Sequence, residues 1–404
     1  MHILLIHQAF VALNEPGGTR HHELSRYFAD HGHQVTIITS PISYLTGKPR
    51  REKIHWVEKQ IDGKQITILR AYAYPSLHRS FAYRVINFFS FMVSSFLIGL
   101  QVKKVDLVWG TSPPIFQGLT AWALARLKHI PFLFEVRDLW PAFAVAVGVL
   151  RQPILIRLSE WLEKFLYQHA DQVVVNSPGF IQHVQSRGAH SVELVPNGTD
   201  TMMINPSVDG DAFRHAHGLE NKFIALYAGA HGLSNDLEVV LDAASKLLPR
   251  KDINIVLLGD GKDKPALQAR ASHDGLDNIS FLPPIPKVEM PAALAAANAC
   301  IAILKPLELY KTTYPNKVFD YMAAGKPVIL AIDGVIREMI ENAGAGIPVP
   351  PGNPDALANA ILSLANDPEL AHQIGKLARE YVEIHFDRES LASKFNDVLV
   401  RLVS

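Results

Sequence analysis

Residues 313–330 read Thr-Tyr-Pro-Asn-Lys-Val-Phe-Asp-Tyr-Met-Ala-Ala-Gly-Lys-Pro-Val-Ile-Leu. A polar loop gives way to a short helical pattern that begins at Asn316 and Lys317 and ends at Gly325, and an apolar strand follows. A loop that feeds a helix N-terminus presents free backbone N–H groups and the positive end of the helix dipole, which suits a phosphate. Lys317 adds a cation, and Asp320 lies one turn deeper, within reach of a ribose hydroxyl. The stretch predicts a nucleotide-diphosphate site; the alternative is a plain connection between loop and helix.

Outward from this stretch, short apolar runs alternate with longer helical patterns, as is typical of parallel sheets covered by helices. We predict an α/β fold of two doubly wound, Rossmann-like domains, residues 1–200 and 201–385, that face each other across a cleft. A C-terminal helical tail, 386–404, is expected to cross back to the first domain. Ligands of such domains bind at the carboxyl ends of the strands. Strands are predicted at 3–7, 34–39, 66–70, 107–109, 132–135, 172–176, 192–195, 223–227, 254–259, 279–282, 299–303, 328–331 and 346–349.

The composition indicates a globular intracellular protein. The 404 residues include 39 basic and 39 acidic side chains, so no net basic field favours nucleic acid as a partner. The single cysteine, Cys300, lies in an apolar run and is expected to be a small core residue in a reducing cytoplasm. The chain starts directly with a strand, without a cationic segment and cleavage site, so no signal peptide is predicted.

Residues 85–102 form an uncharged stretch that reaches the lower length limit of a membrane span. One polar stripe and flanking cations make a helix in the membrane interface a better interpretation than a span. An ordinary helix packed on a sheet remains the alternative. We predict peripheral contact with the inner face of the plasma membrane through residues near 79–104. The stripe is Asn87, Ser90, Ser94 and Gln101, and the cations are Arg79, Arg84, Lys103 and Lys104.

Two loops of the first half follow strands and carry candidate site residues. After the first strand, Gly17 and Gly18 permit close backbone approach, Thr19 is a candidate helix cap, and Arg20 could clamp a phosphate or an acceptor oxygen. The alternative there is a plain glycine turn. After the strand at 132–135 come Glu135, Arg137 and Asp138, three charges at the carboxyl end of a strand, where a structural ion pair is the alternative to an active-site role.

The second half carries matching loops. Backbone N–H groups around Gly229, His231 and Gly232 could hold a diphosphate, with Ser234 or Asn235 as the helix cap and a tight turn as the alternative. Gly261 and Ile285, the latter beside a nucleobase, are weaker candidates. Lys305, which precedes the stretch at 313–330, could add positive charge for a diphosphate. The sequence shows no metal-ligand cluster, no D-x-D pair where a divalent cation would bridge a diphosphate, and no G-x-G-x-x-G. We therefore predict neither a metal nor a cofactor and disfavour an NAD enzyme.

These motifs, taken in order, resemble the GT-B glycosyltransferases, and within them the large retaining family called glycosyltransferase family four. The resemblance covers essentially the whole chain. Details at 136–141 and 315–317 are similar to a subgroup that makes bacterial surface polysaccharides and includes proteins resembling N-acetyl-L-fucosamine transferases. The resemblance rests on residues 17–20, 32–36, 170–177, 195–198, 259–261 and 320–329.

The resemblance implies a retaining, metal-independent hexosyl- or N-acetylhexosaminyl-type transferase. A nucleotide sugar, UDP-linked and with UDP-N-acetyl-L-fucosamine as a candidate, would bind mainly to the second domain, and a lipid-linked saccharide acceptor to the first. Asp138, Arg137 and Lys317 would be catalytic. The implied rival on the same architecture is a non-hydrolysing nucleotide-sugar epimerase with Asp138 or Glu135 as its base, and a catalytically silent sugar-nucleotide binder is a third possibility.

The chain departs from this family at three places. The final motif usually carries two glutamates eight positions apart, whereas Thr312 and Asp320 stand here. Backbone N–H groups from Asn316 to Val318 would then matter more. The loop with His231 lacks the usual Arg/Lys pair, and Arg137-Asp138 stands where His-Asp is common.

Overall fold

The computed structural model describes residues 1–43, 46–75 and 81–404, without the side chains of residues 81 and 82. Arg79, part of the predicted membrane contact, lies outside the described residues. The chain divides into two compact units. The first unit comprises Met1–Ala12, Gly18–Pro196 and Ala392–Ser404, and the second comprises Leu13–Gly17 and Asn197–Leu391.

The first unit is built on an eight-stranded sheet of order β3-β4-β2-β1-β5-β6-β7-β8. All neighbouring strands run parallel except β3, which pairs antiparallel with β4. Its elements are β1 His2–Ile6, α1 Arg20–Asp30, β2 Gln34–Thr39, β3 Val57–Asp62, β4 Ile66–Ala71, α2 Phe81–Gln101, β5 Leu107–Ser112, α3 Phe116–Lys128, β6 Phe132–Val136, α4 Ala142–Ala146, α5 Pro153–His169, β7 Gln172–Val175, α6 Ile181–Ser186 and β8 Val192–Leu194.

Side chains of β5 show which helices cover which face of this sheet. Trp109 packs against Phe28 of α1 and against Phe395 near the C-terminus. At the next residue, Gly110, a side chain would point to the other face of the sheet, where a methyl group would lie 2.7 Å from Ala121 of α3. Because successive strand residues face opposite sides, α1 and the C-terminal helix cover one face and α3, with α2 and α5 beside it, covers the other.

The second unit is built on a six-stranded parallel sheet of order β11-β10-β9-β12-β13-β14. Its four central strands, β9, β10, β12 and β13, are almost wholly buried and rich in aliphatic residues, as strands covered on both faces must be, whereas the edge strands β11 and β14 are half-buried. Its elements are α7 Asp211–Ala216, β9 Phe223–Ala228, α8 Leu237–Leu247, β10 Ile253–Leu258, α9 Lys264–His273, β11 Ile279–Leu282, α10 Met290–Ala296, β12 Ala299–Ile303, α11 Asn316–Ala323, β13 Val328–Ala331, α12 Val335–Ala343, β14 Gly346–Pro348, α13 Pro354–Asn366 and α14 Pro368–His385. The last helix of the chain is α15, Arg388–Val403.

The predicted α/β fold with two Rossmann-like sheets is confirmed, and each predicted strand is present to within a few residues. The edge strand Val57–Asp62 was missed. Thr19 occupies the N-cap position of α1 as predicted, but its hydroxyl donates to Glu23 and makes no capping bond. The prediction of Ser234 or Asn235 as the cap of α8 is wrong, because Asp236 occupies that position, without a side-chain capping bond. Cys300 is fully buried in β12, as predicted, and burial raises the pKa of its thiol to about 12.

Candidate functional site

Two loops at the carboxyl edge of the second sheet are fastened to each other through their backbones. Gly229, after β9, donates its N–H to Leu258 O at 2.9 Å, and His231 N donates to Asp260 O at 2.8 Å. A methyl group on Gly259 would lie 1.9 Å from Gly229 O, so a side chain at that position cannot be accommodated without a backbone shift. Gly229 and Gly259 have φ near +151° and +149°, where glycine is strongly preferred. The two loops therefore form one preorganised backbone surface.

His231 is fully buried between these loops. Its backbone carbonyl accepts a hydrogen bond from Asp263 N at 3.0 Å, but among the described residues neither ring nitrogen has a hydrogen-bond partner. Burial, with smaller contributions from the charges of Lys264 and Lys317, lowers the pKa of His231 to about 4. The ring is therefore a neutral imidazole that can offer one N–H to a ligand.

Lys317, in the first turn of α11, places its amine over the ring of Tyr227, with Nζ 3.7 Å from the ring centroid. Nζ is buried and has no hydrogen-bond partner among the residues that the structure describes. Burial lowers the pKa of Lys317 to about 7. A methyl group at Gly229 would lie 2.6 Å from Nζ, so only glycine leaves the amine room there.

A buried polar group without a partner is rare and calls for an explanation such as a missing ligand. At this edge of the second sheet three such groups occur within the described part of the chain: Lys317 Nζ, the ring of His231 and Asn316 Oδ1. Two of them are donors or potential cations, and α11 begins at Asn316 with the positive end of its dipole. The arrangement suits an anion, such as a phosphate group.

Asp320, predicted to bind a ribose, is buried and already has two partners in the second unit. Its Oδ1 accepts a bond from Thr199 Oγ1 at 2.7 Å, and its Oδ2 pairs with Lys287 Nζ at 2.6 Å. The predicted N–H donor at Val318 is also engaged, since it donates to Pro315 O at 3.1 Å. Each oxygen of the Asp320 carboxylate accepts one bond and can accept a second, so ribose binding by Asp320 stays a prediction.

The remaining predicted residues of the second unit lie at the same strand edge. Lys305 follows β12, and its N–H donates to Ser234 O at 3.0 Å, which fastens that loop to the loop after β9. A methyl group on Gly261 would lie 2.2 Å from His231 O. Ile285 follows β11 and is partly exposed, as is Gly232. Their contact with a donor stays a prediction.

In the first unit, Arg20 is a buried structural cation rather than an open phosphate clamp. Its Nε donates to Glu135 Oε1 at 2.8 Å, and its two terminal nitrogens donate to Pro196 O and Val195 O at 2.7 and 2.9 Å. His21 Nε2 lies 2.6 Å from Glu135 Oε2. Burial alone would raise the pKa of Glu135, but His21 and Arg20 together hold it below its usual range. Contact of Arg20 with a phosphate or an acceptor oxygen stays a prediction.

Arg137 and Asp138 follow β6 directly, as predicted. Arg137 donates to Thr111 Oγ1 at 2.9 Å and lies 3.1 Å from His7 Nε2, so it is anchored to the ends of β5 and β1. Burial of the carboxyl group raises the pKa of Asp138 to about 7, although the charge of Arg137 opposes the shift. Asp138 can therefore exchange a proton near neutral pH.

Gly17 and Gly18 lie in the loop before α1. Gly17 has φ near +139°, and a methyl group on Gly18 would meet no atom within 4 Å. This leaves open space beside the backbone at the start of α1. Contact of Gly17 and Gly18 with a diphosphate stays a prediction.

Sequence reasoning missed Tyr227 and Lys264. Tyr227 lies two residues before Gly229, and its ring lies beneath the amine of Lys317. Lys264 Nζ donates to Gly259 O at 2.7 Å and Leu282 O at 2.9 Å, so it holds the ends of β10 and β11. The sequence signal that could have identified Lys264 is its position three residues after the turn at Gly259–Gly261. Across residues 1–43, 46–75 and 81–404 no group of three or more His, Cys, Asp or Glu is placed to hold a metal.

Comparisons with known proteins agree with this architecture. Residues 17–198 match the model of the "Glycosyl transferase 4-like domain", and residues 209–381 match that of "Glycosyl transferases group 1". The chain is 25% identical over 390 residues to the putative colanic acid biosynthesis glycosyl transferase WcaI of Escherichia coli K12, covering 93% of this chain and 94% of that protein.

Solved structures share the fold. A sucrose-phosphate synthase from Thermosynechococcus elongatus superposes with a TM-score of 0.80 at 20% identity, over 99% of this chain and 98% of that one. HepE of Anabaena, solved in complex with UDP and glucose, superposes with a TM-score of 0.75 at 16% identity, over 100% of both chains. The two halves of the chain thus match two glycosyltransferase domain models, and the fold is that of the GT-B glycosyltransferases.

Proposed function

We propose that the chain is a retaining, metal-independent glycosyltransferase that moves a sugar from a UDP-linked donor to a lipid-linked saccharide in surface polysaccharide biosynthesis. The observation that carries the donor site is the buried amine of Lys317, which has no hydrogen-bond partner among the described residues and lies near the neutral ring of His231 at the carboxyl edge of the second sheet. The likeness to WcaI supports the polysaccharide pathway, and the UDP bound in HepE supports the nucleotide. UDP-N-acetyl-L-fucosamine remains our candidate donor.

During transfer the bond between the anomeric carbon and the β-phosphate oxygen breaks, and the leaving diphosphate gains negative charge. The amine of Lys317, the ring N–H of His231 and the N-terminus of α11 would stabilise that charge, because donors fixed in a buried site need no reorganisation. The acceptor hydroxyl attacks from the face that the phosphate leaves, and its proton passes to the departing phosphate. Asp138 and Arg137 in the first unit would orient the acceptor.

The comparisons give no support to the epimerase alternative. An epimerase would incorporate solvent deuterium into the donor sugar in the absence of acceptor, whereas the proposed transferase would not. This exchange experiment separates the two reactions on the same protein.

Helix α2 fits the proposed membrane contact. By length and composition alone it is apolar enough to span a membrane over Tyr83–Gln101, but Asn87 and Ser94 are buried and hydrogen-bonded to residues of the first unit. Of the predicted polar stripe, Asn87 and Ser94 thus face the first unit, whereas Gln101 is exposed. We propose that α2 lies in the interface of the inner leaflet of the plasma membrane with its apolar side outward.

A panel of nucleoside diphosphates and nucleotide sugars tests the function. UDP and one UDP-sugar should raise the melting temperature of the protein by mass action, whereas nucleoside diphosphates and nucleotide sugars with other bases should not. The same UDP-sugar should then transfer its sugar to a lipid-linked acceptor in the presence of a chelator. Activity that depends on an added divalent metal would contradict the proposal.

The pKa of Lys317 predicts that UDP binding takes up a proton. In the free protein the amine is protonated below about pH 7 and neutral above it, and a bound diphosphate favours the protonated form. Affinity should therefore be highest below pH 7 and fall as pH rises above it. Calorimetry at pH 8 in two buffers of different ionisation enthalpy measures the proton uptake, which Lys317→Met should abolish. Equal heats in both buffers for the unmodified protein would contradict this role.

A further inference from the structure

Helix α5 exposes an unusual set of large apolar side chains. Ile154, Leu158 and Trp161 are 71%, 57% and 61% exposed, and their spacing of four and three residues places them on one side of the helix. The buried residues of α5 are Leu162, Glu163, Leu166 and Tyr167. Glu163 and Tyr167 lie opposite the exposed side chains, and Leu162 borders them. The hydrophobic stripe toward the core is thus matched by a second stripe toward solvent.

The stripe on α5 is connected to the one on α2 through aromatic contacts. Phe89 of α2 packs against Phe116 of α3, with ring centroids 5.7 Å apart. On the far side of α3, Trp122 packs against Phe165 of α5 at 4.8 Å, and Phe165 stacks on Trp161 at 5.5 Å. We call the exposed side chains of both helices the apolar face. Its members are Ile86, Phe89, Val93, Leu97, Leu100, Ile154, Leu158 and Trp161.

Helix α3 locks its two neighbours into this layer. Lys128 Nζ donates to Leu100 O at 3.2 Å and to Val102 O at 2.8 Å, at the end of α2. Arg126 Nη2 donates to His169 O at 2.9 Å, at the end of α5. The apolar face therefore lies on one rigid side of the first sheet, and a partner would meet both helices at once.

The charges around the apolar face are mostly positive. Arg151, Arg157 and Lys164 are exposed on and before α5. The acids of α5 are the half-buried Glu160 and the buried Glu163, which pairs with Arg187. Lys103 and Lys104 are exposed just after α2. Apolar side chains with a tryptophan, bordered by cations, are the pattern of helices that lie in the interface of an anionic bilayer. A second copy of the chain would bring like charges together.

We infer that α5 is a second bilayer contact and that the whole apolar face docks on an anionic lipid surface. Ile154, Leu158 and Trp161 enter the interface, and Arg157 and Lys164 meet lipid phosphates. The inference extends the membrane contact proposed for α2 and is independent of sugar transfer. It predicts a fixed orientation, with the helix layer α2–α3–α5 against the lipid.

The test uses the full chain and vesicles of phosphatidylglycerol and phosphatidylcholine. The triple substitution Ile154→Ser, Leu158→Ser and Trp161→Ser should lower the vesicle partition coefficient by about tenfold or more, since these side chains would supply much of the buried apolar area. A matched control, Met202→Ser with Ile384→Ser, removes side chains 83% and 73% exposed in the second unit and should leave partitioning unchanged. Partitioning of the α5 variant equal to that of the unmodified chain would overturn the inference.

A milder variant guards against misfolding. Trp161→Phe keeps an apolar ring at this position. Brominated lipids should quench the tryptophan fluorescence of the unmodified chain, and they should quench that of the Trp161→Phe variant much less. Unchanged quenching overturns the inference. The inference is also overturned if the unmodified chain sediments as a dimer, the α5 variant sediments as a monomer, and both bind vesicles equally.

The α2 and donor-site proposals are tested separately. If Phe89→Ser with Val93→Ser abolishes vesicle binding and the α5 variant does not, the α2 contact stands and the inference on α5 fails. Stabilisation by UDP should be the same in all these variants, so its loss would concern the donor site alone.

Discussion

Lys317→Met is expected to lower kcat for sugar transfer by about 100- to 1,000-fold, the range observed when one preorganised donor to a developing charge is removed. The amine sits over Tyr227 with no hydrogen-bond partner in the described part of the chain, so the unliganded protein makes little other use of it. Methionine has a similar shape and no charge. Binding of UDP should weaken as well, because the diphosphate loses a cation.

The same substitution should leave the protein equally stable or more stable. A lysine whose pKa is lowered in the folded state opposes folding at neutral and lower pH, and this penalty shrinks as pH rises from about 7 toward the ordinary lysine range. Methionine removes the penalty. A higher melting temperature together with lost activity would separate a functional role from a structural one.

Lys311→Met is the matched control for Lys317. Lys311 lies in the preceding turn, is exposed and pairs with Glu308 Oε1 at 2.7 Å. Its removal should change neither kcat nor UDP binding appreciably. Full activity in Lys317→Met would remove the basis for the donor site proposed here.

Glu135→Leu is expected to destabilise the first unit by about 3–5 kcal/mol, because it leaves Arg20 buried without its carboxylate. Both partners are nearly or fully buried, with side chains 5% and 0% exposed. Hydrogen exchange of β6 and α1 should speed up, and the chemical denaturation midpoint of the first unit should fall.

Two comparisons isolate the cause of this loss. Glu193→Leu breaks an ion pair with Arg401 whose side chains are 36% and 62% exposed, and should cost about 0–1 kcal/mol. The double variant Arg20→Met with Glu135→Leu should recover much of the stability, because no charge is left unpaired. An equal loss in Glu135→Leu and Glu193→Leu would show that the buried pair is not structural.

The strand and helix pattern was predictable because the core strands are continuous apolar runs. Ala299–Ile303 and Val328–Ala331 have the predicted bounds, since both are fully buried and bordered by turn residues. The edge strand Val57–Asp62 was not predictable in this way. It is mostly exposed and carries charged side chains, so its pairing with β4 leaves little hydrophobic pattern.

The candidate site was predictable as a set of loops, but its hydrogen-bond partners were not. Glycines and Lys317 could be read from local spacing. Arg20 is hydrogen-bonded to Glu135, 115 positions away in the sequence, and Asp320 is hydrogen-bonded to Thr199, 121 positions away. Such partners follow from the arrangement of strands, which one sequence does not specify residue by residue.

The burial of Cys300 also determines how the membrane orientation can be measured. A thiol that is fully buried, with its pKa raised to about 12, is almost entirely protonated at pH 7 and reacts slowly with maleimides. A cysteine introduced on the surface, for example at Met202, would therefore be labelled selectively in the otherwise unmodified chain. A spin label or fluorophore at such a site reports distance from a lipid surface without first removing a core residue.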